Sequence, residues 1–330
     1  MNFSQSRRNI LKLMGLAAIG TVTMPLSIFC KKENVDFNIT ENKTIVNDKK
    51  IIKTDEMIKR AIPSSGEQIP VVGLGSWLQF DVGTSNEERE PLREVLKLMA
   101  EYSATVIDSS PMYGKSEQVI GDLTSELGIA DKFFYATKVW TRGREEGISQ
   151  MEASARKMKR DVIDLMQVHN IVDWKTHLQT LRAWKKEGKI RYYGLTTSQD
   201  SVHDEIEEIV RTEKPDFVQF NYSIRERNAE NSLLKTSQDS GTAVLINEPY
   251  AKGDLFRDVK GKILPDWAAE YGIKSWGQFF LKYIISHPAV TCVIPGTSDA
   301  KHLADNMEAG FGALPDENGR AKMAEYFEKL

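Results

Sequence analysis

Four side chains able to give, take or hold a proton stand where short apolar runs end. Val106-Ile107-Asp108 runs into Ser109-Ser110-Pro111-Met112-Tyr113-Gly114, Tyr135-Ala136-Thr137 leads to Lys138, and Leu165-Met166-Gln167-Val168 leads to His169. Extended chain alternates its side chains. Ala104, Val106 and Asp108 therefore share a face, as do Phe134, Ala136 and Lys138, and Leu165, Gln167 and His169. A lysine ending an apolar run is costly to bury alone, and Asp108 offers it a partner. Taken singly, the Asp–Lys pair reads as a rim salt bridge and the histidine as structural. Together, a carboxylate, a phenol, an ammonium and an imidazole reaching one rim make a site for general acid–base chemistry.

Such a rim needs parallel strands of common polarity. Short apolar runs at 71–75, 104–109, 133–139, 163–169, 192–196, 217–221, 243–247 and 291–294 read as strands. Between them lie helix-like stretches, with Val95, Leu98, Met99 and Tyr102, then Leu178, Leu181 and Trp184, at helical spacing. Strands alternating with helices imply a parallel sheet, and this strand count predicts closure into a (β/α)8 TIM barrel. A doubly wound open sheet is disfavoured, because no Gly-x-Gly-x-x-Gly turn leads from an early strand into a helix. Ahead of the barrel, Met57-Ile58-Lys59-Arg60 and Gln68-Ile69-Pro70 flank Pro63-Ser64-Ser65-Gly66, which predicts a β-hairpin.

The barrel and its hairpin are assigned to 57–330, a polar, Asn- and Lys-rich tether to 33–56, and a leader to 1–32. Ser6-Arg7-Arg8-Asn9-Ile10 precedes a mildly apolar run and Lys31-Lys32. The paired arginines resemble a twin-arginine export signal, with Ile10 where Phe is commoner. That resemblance implies passage through the twin-arginine export machinery and a periplasmic location. A lipid or membrane anchor near Cys30 stays open: Leu26-Ser27-Ile28-Phe29-Cys30 resembles a lipoprotein cleavage box, but bulky Phe29 departs from it.

Composition removes several classes of function. With 44 basic and 47 acidic residues the net charge is -3, and no long-range field favours nucleic acid. Two cysteines, Cys30 and Cys292, cannot make a disulfide framework. Five histidines without a His-x-His pair or a carboxylate cluster at strand ends speak against a metal-dependent hydrolase.

The segment Asp108-x-x-x-x-Tyr113-Gly114, Ala136-Thr137-Lys138, the strand-end His169, and Ile294-Pro295-Gly296 followed by Asn306 together resemble the aldo-keto reductase superfamily over residues 57–312. The resemblance implies an oxidoreductase moving hydride between a nicotinamide and a carbonyl or alcohol, with Asp108, Tyr113, Lys138 and His169 as catalytic tetrad. Tyr113 would protonate the carbonyl oxygen. A phenol with a pKa of about 10 is a reluctant acid, and Lys138 as a cation is expected to lower that barrier. Asp108 would hold Lys138, and His169 would orient the substrate oxygen. The implied cofactor contacts are Thr196, Thr197, Gln219, Lys252, Gly296, Thr297, Ser298, His302 and Asn306, with Trp77 and Trp140 lining the substrate pocket.

The cofactor side departs from the family's commoner pattern. Thr196-Thr197 stand where Ser-Asn is usual, Asn247 where a stacking Tyr is usual, with Tyr250 as a shifted substitute, and Gly296 and His302 where Lys and Arg usually meet a 2′-phosphate. NADP(H) is the implied cofactor, with NAD(H) as second option. Export implies a retained cofactor and a redox-neutral or self-recycling conversion, on a sugar-like alcohol. The competing reading from another class is a nucleotide-binding barrel acting as a non-catalytic sensor or accessory subunit.

Overall fold

Alternation along the strands builds the centre of the molecule in two layers, apolar below and polar above. The computed structural model describes residues 56–330. The expected leader at 1–32, and the 33–56 tether up to residue 55, lie outside the described residues.

The chain opens with an antiparallel hairpin, β1 (Lys59–Ala61) and β2 (Gln68–Pro70). There follow β3 (Leu74–Gly75), α1 (Asn86–Glu101), β4 (Val106–Asp108), α2 (Ser116–Glu126), β5 (Phe134–Val139), α3 (Arg144–Lys157) and β6 (Ile163–Val168). The second half continues with α4 (Trp174–Glu187), β7 (Ile190–Thr196), α5 (His203–Glu213), β8 (Phe217–Asn221), α6 (Leu233–Asp239), β9 (Ala243–Asn247), α7 (Asp254–Asp258), α8 (Trp276–Ile285) and β10 (Val290–Val293). Two last helices, α9 (Ala300–Glu308) and α10 (Glu317–Glu328), complete the chain.

Strands β3 to β10 pair in parallel in sequence order. Parallel bridges from Val72 to Val293 and from Gly75 to Gly296 bring the first strand to the last. The result is a (β/α)8 barrel. At the seam the backbones nearly touch: a Cβ on Gly75 would lie 2.8 Å from the carbonyl oxygen of Ile294, so only glycine fits. The first strand is shorter than the 71–75 run predicts. Val71 donates its N–H to Ile58 O and its carbonyl accepts from Val293 N–H, so its backbone is shared between the hairpin side and the last strand.

Val106, Phe134, Ala136, Leu165, Tyr192 and Phe217 point into the barrel and form a closed apolar floor, joined by Ile62 and Ile69 of the hairpin region. Phe134 and Tyr192 stack with centroids 5.9 Å apart, and Tyr192 meets Phe217 edge-on at 5.6 Å. The Tyr192 hydroxyl reaches down to Glu67 Oε2 at 2.6 Å. Arg60 fixes the hairpin from outside, its guanidinium donating to Ile285 O at 2.6 Å and to His287 O at 2.8 Å. The Ile285 carbonyl ends α8, and the His287 carbonyl just beyond it also accepts the Val290 N–H at 3.1 Å. The remaining apolar side chains, among them Val95, Leu96 and Met99 of α1 and Leu178, Leu181 and Trp184 of α4, fill the layer between helices and barrel. Two residues further along each strand, the floor gives way to the polar layer.

Candidate active site

Asp108 is the last residue of β4, Lys138 lies near the end of β5, and His169 follows β6 directly. All three therefore reach the rim at the C-terminal ends of the strands, where a β/α barrel carries its chemistry. Tyr113 comes to the same place on the loop after β4. The Asp81 carboxylate accepts the Lys115 N–H at 2.9 Å and pins that loop. Gly114 permits it, with φ of 58° and no Cβ, which would otherwise stand 2.3 Å from the carboxylate.

Lys138 is fully buried (0% exposed) and Asp108 nearly so (3%). The ammonium donates to Asp108 Oδ2 at 2.5 Å and to Ser109 O at 2.7 Å. It stands 5.0 Å from the centroid of the Tyr113 ring. The other Asp108 oxygen accepts from Gln167 Nε2 and Gln219 Nε2, each at 3.0 Å. Gln219 Oε1 in turn accepts from Asn247 Nδ2 at 3.3 Å and Thr196 Oγ1 at 3.4 Å. Paired and hydrogen-bonded on every side, the buried charges meet the condition under which a low-dielectric ion pair is tolerated. The His169 ring lies edge-on to Tyr113 at 5.8 Å, and its Nδ1 is 2.9 Å from Ser110 Oγ.

Burial and charge set these groups differently. Burial presses against charge on Lys138, yet Asp108 and Tyr113 outweigh it and hold the ammonium above the ordinary lysine value. Burial, with the Lys138 charge adding to it, pushes His169 down to about 3, so its imidazole is neutral. Tyr113 corrects the expectation. Lys138 does favour the phenolate, but burial is the larger influence and the phenol stands above, not below, its ordinary value.

A cavity of about 580 Å³ opens over this layer, lined by Trp77, Tyr113, His169, Gln219, Asn247 and Lys252 among others. A smaller one of about 240 Å³, lined by Thr297, His302, Asp305 and Asn306, shares Tyr250, Phe256 and Gly296 with it. The two make one groove running from the tetrad to α9, large enough for an extended organic ligand.

The sequence model of the Aldo/keto reductase family matches residues 71–321, most of the chain. The chain belongs to the aldo/keto reductase family. Among its relatives is methylglyoxal reductase YeaE of Escherichia coli, 27% identical over 263 residues that cover 76% of this chain and 89% of that one. NADP-dependent D-sorbitol-6-phosphate dehydrogenase of Malus domestica is 23% identical, with 77% and 90% covered. An aldo-keto reductase of Klebsiella pneumoniae, solved in complex with NADPH, shares the fold with a TM-score of 0.69 at 23% identity, covering 82% of this chain and 96% of that one.

As an aldo/keto reductase, this chain fits a nicotinamide dinucleotide at one end of the groove. Asn247 Nδ2 is committed to Thr197 O at 2.9 Å and to Gln219, whereas its buried Oδ1 has no partner among the described residues. An unpartnered buried acceptor facing a polar layer suits an incoming amide N–H. Thr196 is buried beside it, while Thr197 Oγ1 accepts the Gln199 N–H at 3.2 Å.

The far end is more committed than the sequence implies. Tyr250 lines both cavities and is held in place by its neighbours. Its hydroxyl donates to Asn306 Oδ1 at 2.6 Å, and its ring packs on Phe256 and Phe280, tying β9's loop to α8 and α9. Ser298 Oγ donates to Gln79 at 3.1 Å, and Thr297 Oγ1 accepts the Asp299 N–H at 3.0 Å. Asp299 caps α9 by accepting the Lys301 N–H at 2.7 Å, taking a backbone donor that an anion would otherwise use. Lys252 lies 3.4 Å from half-buried Glu248, whose carboxyl burial pushes up. His302 and Thr297 remain as groove-lining polar groups, with Gly296 clearing the path between the cavities.

Trp77 (46% exposed) and Trp140 (43%) stand at the mouth rather than between helices and barrel. Trp77 lines the main cavity, and Trp140 faces the His169 ring at 6.4 Å. Sequence reading missed Ser110, Gln167 and the orphaned Asn247 oxygen. Gln167 shares a face with His169 and was within reach of the alternation argument; Ser110 gave no signal.

Proposed function

We propose that this aldo/keto reductase interconverts a small carbonyl compound and its alcohol with NADP(H), using Asp108, Tyr113, Lys138 and His169. The observation that carries this is the assembled tetrad at one end of a groove of cofactor size. A bound NADPH supplies the hydride that reduces the carbonyl carbon. Tyr113 delivers the proton from its hydroxyl to the carbonyl oxygen. Burial opposes the phenolate so formed, and Lys138, fixed by Asp108 and Ser109, stabilises it until water reprotonates it. Neutral His169 donates a hydrogen bond to the same oxygen and sets its direction.

The orphaned Asn247 Oδ1, with Thr196 and Gln219, supports a carboxamide at the tetrad end, and Thr297 and His302, which line the smaller cavity, support a phosphate at the far end. Structures of relatives with NADP or NADPH support the phosphorylated cofactor. The kinship with a methylglyoxal reductase and a sorbitol-6-phosphate dehydrogenase supports small aldehydes and sugar-like alcohols as substrates. Trp77 and Trp140 would offer such substrates aromatic faces. A complete tetrad speaks against the non-catalytic sensor.

The leader with Arg7-Arg8 supports export through the twin-arginine machinery to the periplasm, with cofactor retained. Replacing both arginines by lysine should hold the protein in the cytoplasm on fractionation, and unchanged distribution would remove that reading. Titrating NADPH and NADH separately into nucleotide-stripped protein, followed by nicotinamide fluorescence, tests the core proposal. Saturable micromolar binding followed by methylglyoxal-dependent NADPH oxidation is expected; binding of neither nucleotide would discard it.

A further inference from the structure

The imidazole that orients the substrate oxygen can carry its single proton on either ring nitrogen, and only one choice is useful. Nδ1 lies 2.9 Å from Ser110 Oγ, with Ser110 fully buried. That hydroxyl has one proton to give. The Met112 N–H donates to the same oxygen at 3.3 Å, so this neighbour is no acceptor. Among the described residues, His169 Nδ1 is the remaining hydrogen-bond partner of Ser110 Oγ. Left without an acceptor this buried O–H would be costly, so the hydroxyl proton points at Nδ1, which is then the unprotonated nitrogen.

We infer that Ser110 is a positioning residue that holds His169 in the tautomer with its proton on Nε2, aimed at the substrate oxygen. The assignment rests on the carbonyl-reductase reading above. Ser110 touches neither substrate nor cofactor; it acts through His169. It sits two residues beyond Asp108 on the loop that also carries Tyr113, so one short segment sets the proton donor, the anchor of the lysine and the tautomer of the histidine. A neutral imidazole, as burial makes this one, has both tautomers available, and a single hydroxyl is enough to choose between them.

Ser110→Ala, Ser110→Thr and wild type are compared by long-range 1H–15N correlation of the histidine side chains, with His169→Gln assigning the signal. Wild type should give the Nε2–H pattern for His169, Ser110→Ala a mixture of tautomers, and Ser110→Thr the wild-type pattern. In NADPH-dependent reduction of methylglyoxal, Ser110→Ala should lower kcat about tenfold, the scale of one hydrogen bond, with NADPH affinity unchanged, and Ser110→Thr should recover it. A wild-type proton on Nδ1 overturns the inference, as does an alanine variant that keeps the Nε2–H pattern. If methylglyoxal proves not to be a substrate, the spectra still decide the tautomer, so the two readings fail separately.

Discussion

At the residue scale, the proposed reaction has Tyr113 release a proton where burial disfavours the anion it becomes, so turnover would depend on the cation beside it. Tyr113→Phe should lower kcat by about 10²–10⁴ while NADPH affinity stays within about twofold; steady-state kinetics and fluorescence titration check both. Removing the lysine is a different experiment. Lys138→Met leaves Asp108 buried without its cation, and urea unfolding should show a loss of about 3–5 kcal/mol. The pH dependence follows from directions already described. His169, near 3, stays neutral as pH rises through the ordinary imidazole value, and a phenol raised by burial stays protonated through the same range. The kcat of carbonyl reduction should therefore be flat between about pH 5 and 8 and fall on the alkaline side. An inflection near the ordinary imidazole value that His169→Gln abolishes would contradict this. Asp108, Lys138 and His169 were legible because alternation and strand ends are local properties. Ser110 and Asn247 were not, because their partners stand 59 and 50 or fewer residues away in sequence, and only the closed barrel brings them near.

At the element scale, the runs that made the strands were legible from their apolar content, and the hairpin from its Pro63-Ser64-Ser65-Gly66 turn. The shortening of the first strand was not, since it depends on Val71 giving its N–H to Ile58 and its carbonyl to Val293, partners far apart in sequence. Nor could sequence foresee that the Tyr250 hydroxyl would bond to Asn306, a contact that exists only once α9 packs beside the loop after β9. The link between hairpin and α8 is carried largely by Arg60. Arg60→Ala takes the guanidinium from the Ile285 carbonyl and leaves the His287 carbonyl with only the Val290 N–H, and should lower stability by about 1.5–3 kcal/mol, as loss of hydrogen bonds to a charged group does. Thermal unfolding measures it, and an unchanged midpoint would show that the hairpin is held by its apolar contacts alone.

At the scale of the whole molecule, one buried and one partly buried imidazole make the fold sensitive to acid. Burial holds His169 near 3 and His287 near 4, both below the ordinary 6.5. As pH falls below that value the unfolded chain takes up protons at these sites before the folded one does, so stability declines on acidification. For His169 the slope is at most about 1.4 kcal/mol per pH unit. Melting temperatures between about pH 7 and 4 should fall less steeply in a His169→Gln, His287→Asn double variant; equal slopes would place the acid sensitivity elsewhere. The apolar floor has its own consequence. With Phe134, Tyr192 and Phe217 sealed from beneath by Ile62 and Ile69, the barrel is a cup and not a pipe. Everything that reacts inside must enter and leave through one opening, where Trp77 and Trp140 stand. Traffic is therefore sequential: whatever lies deepest arrives first and departs last, and a molecule wedged at the rim detains what is already below it.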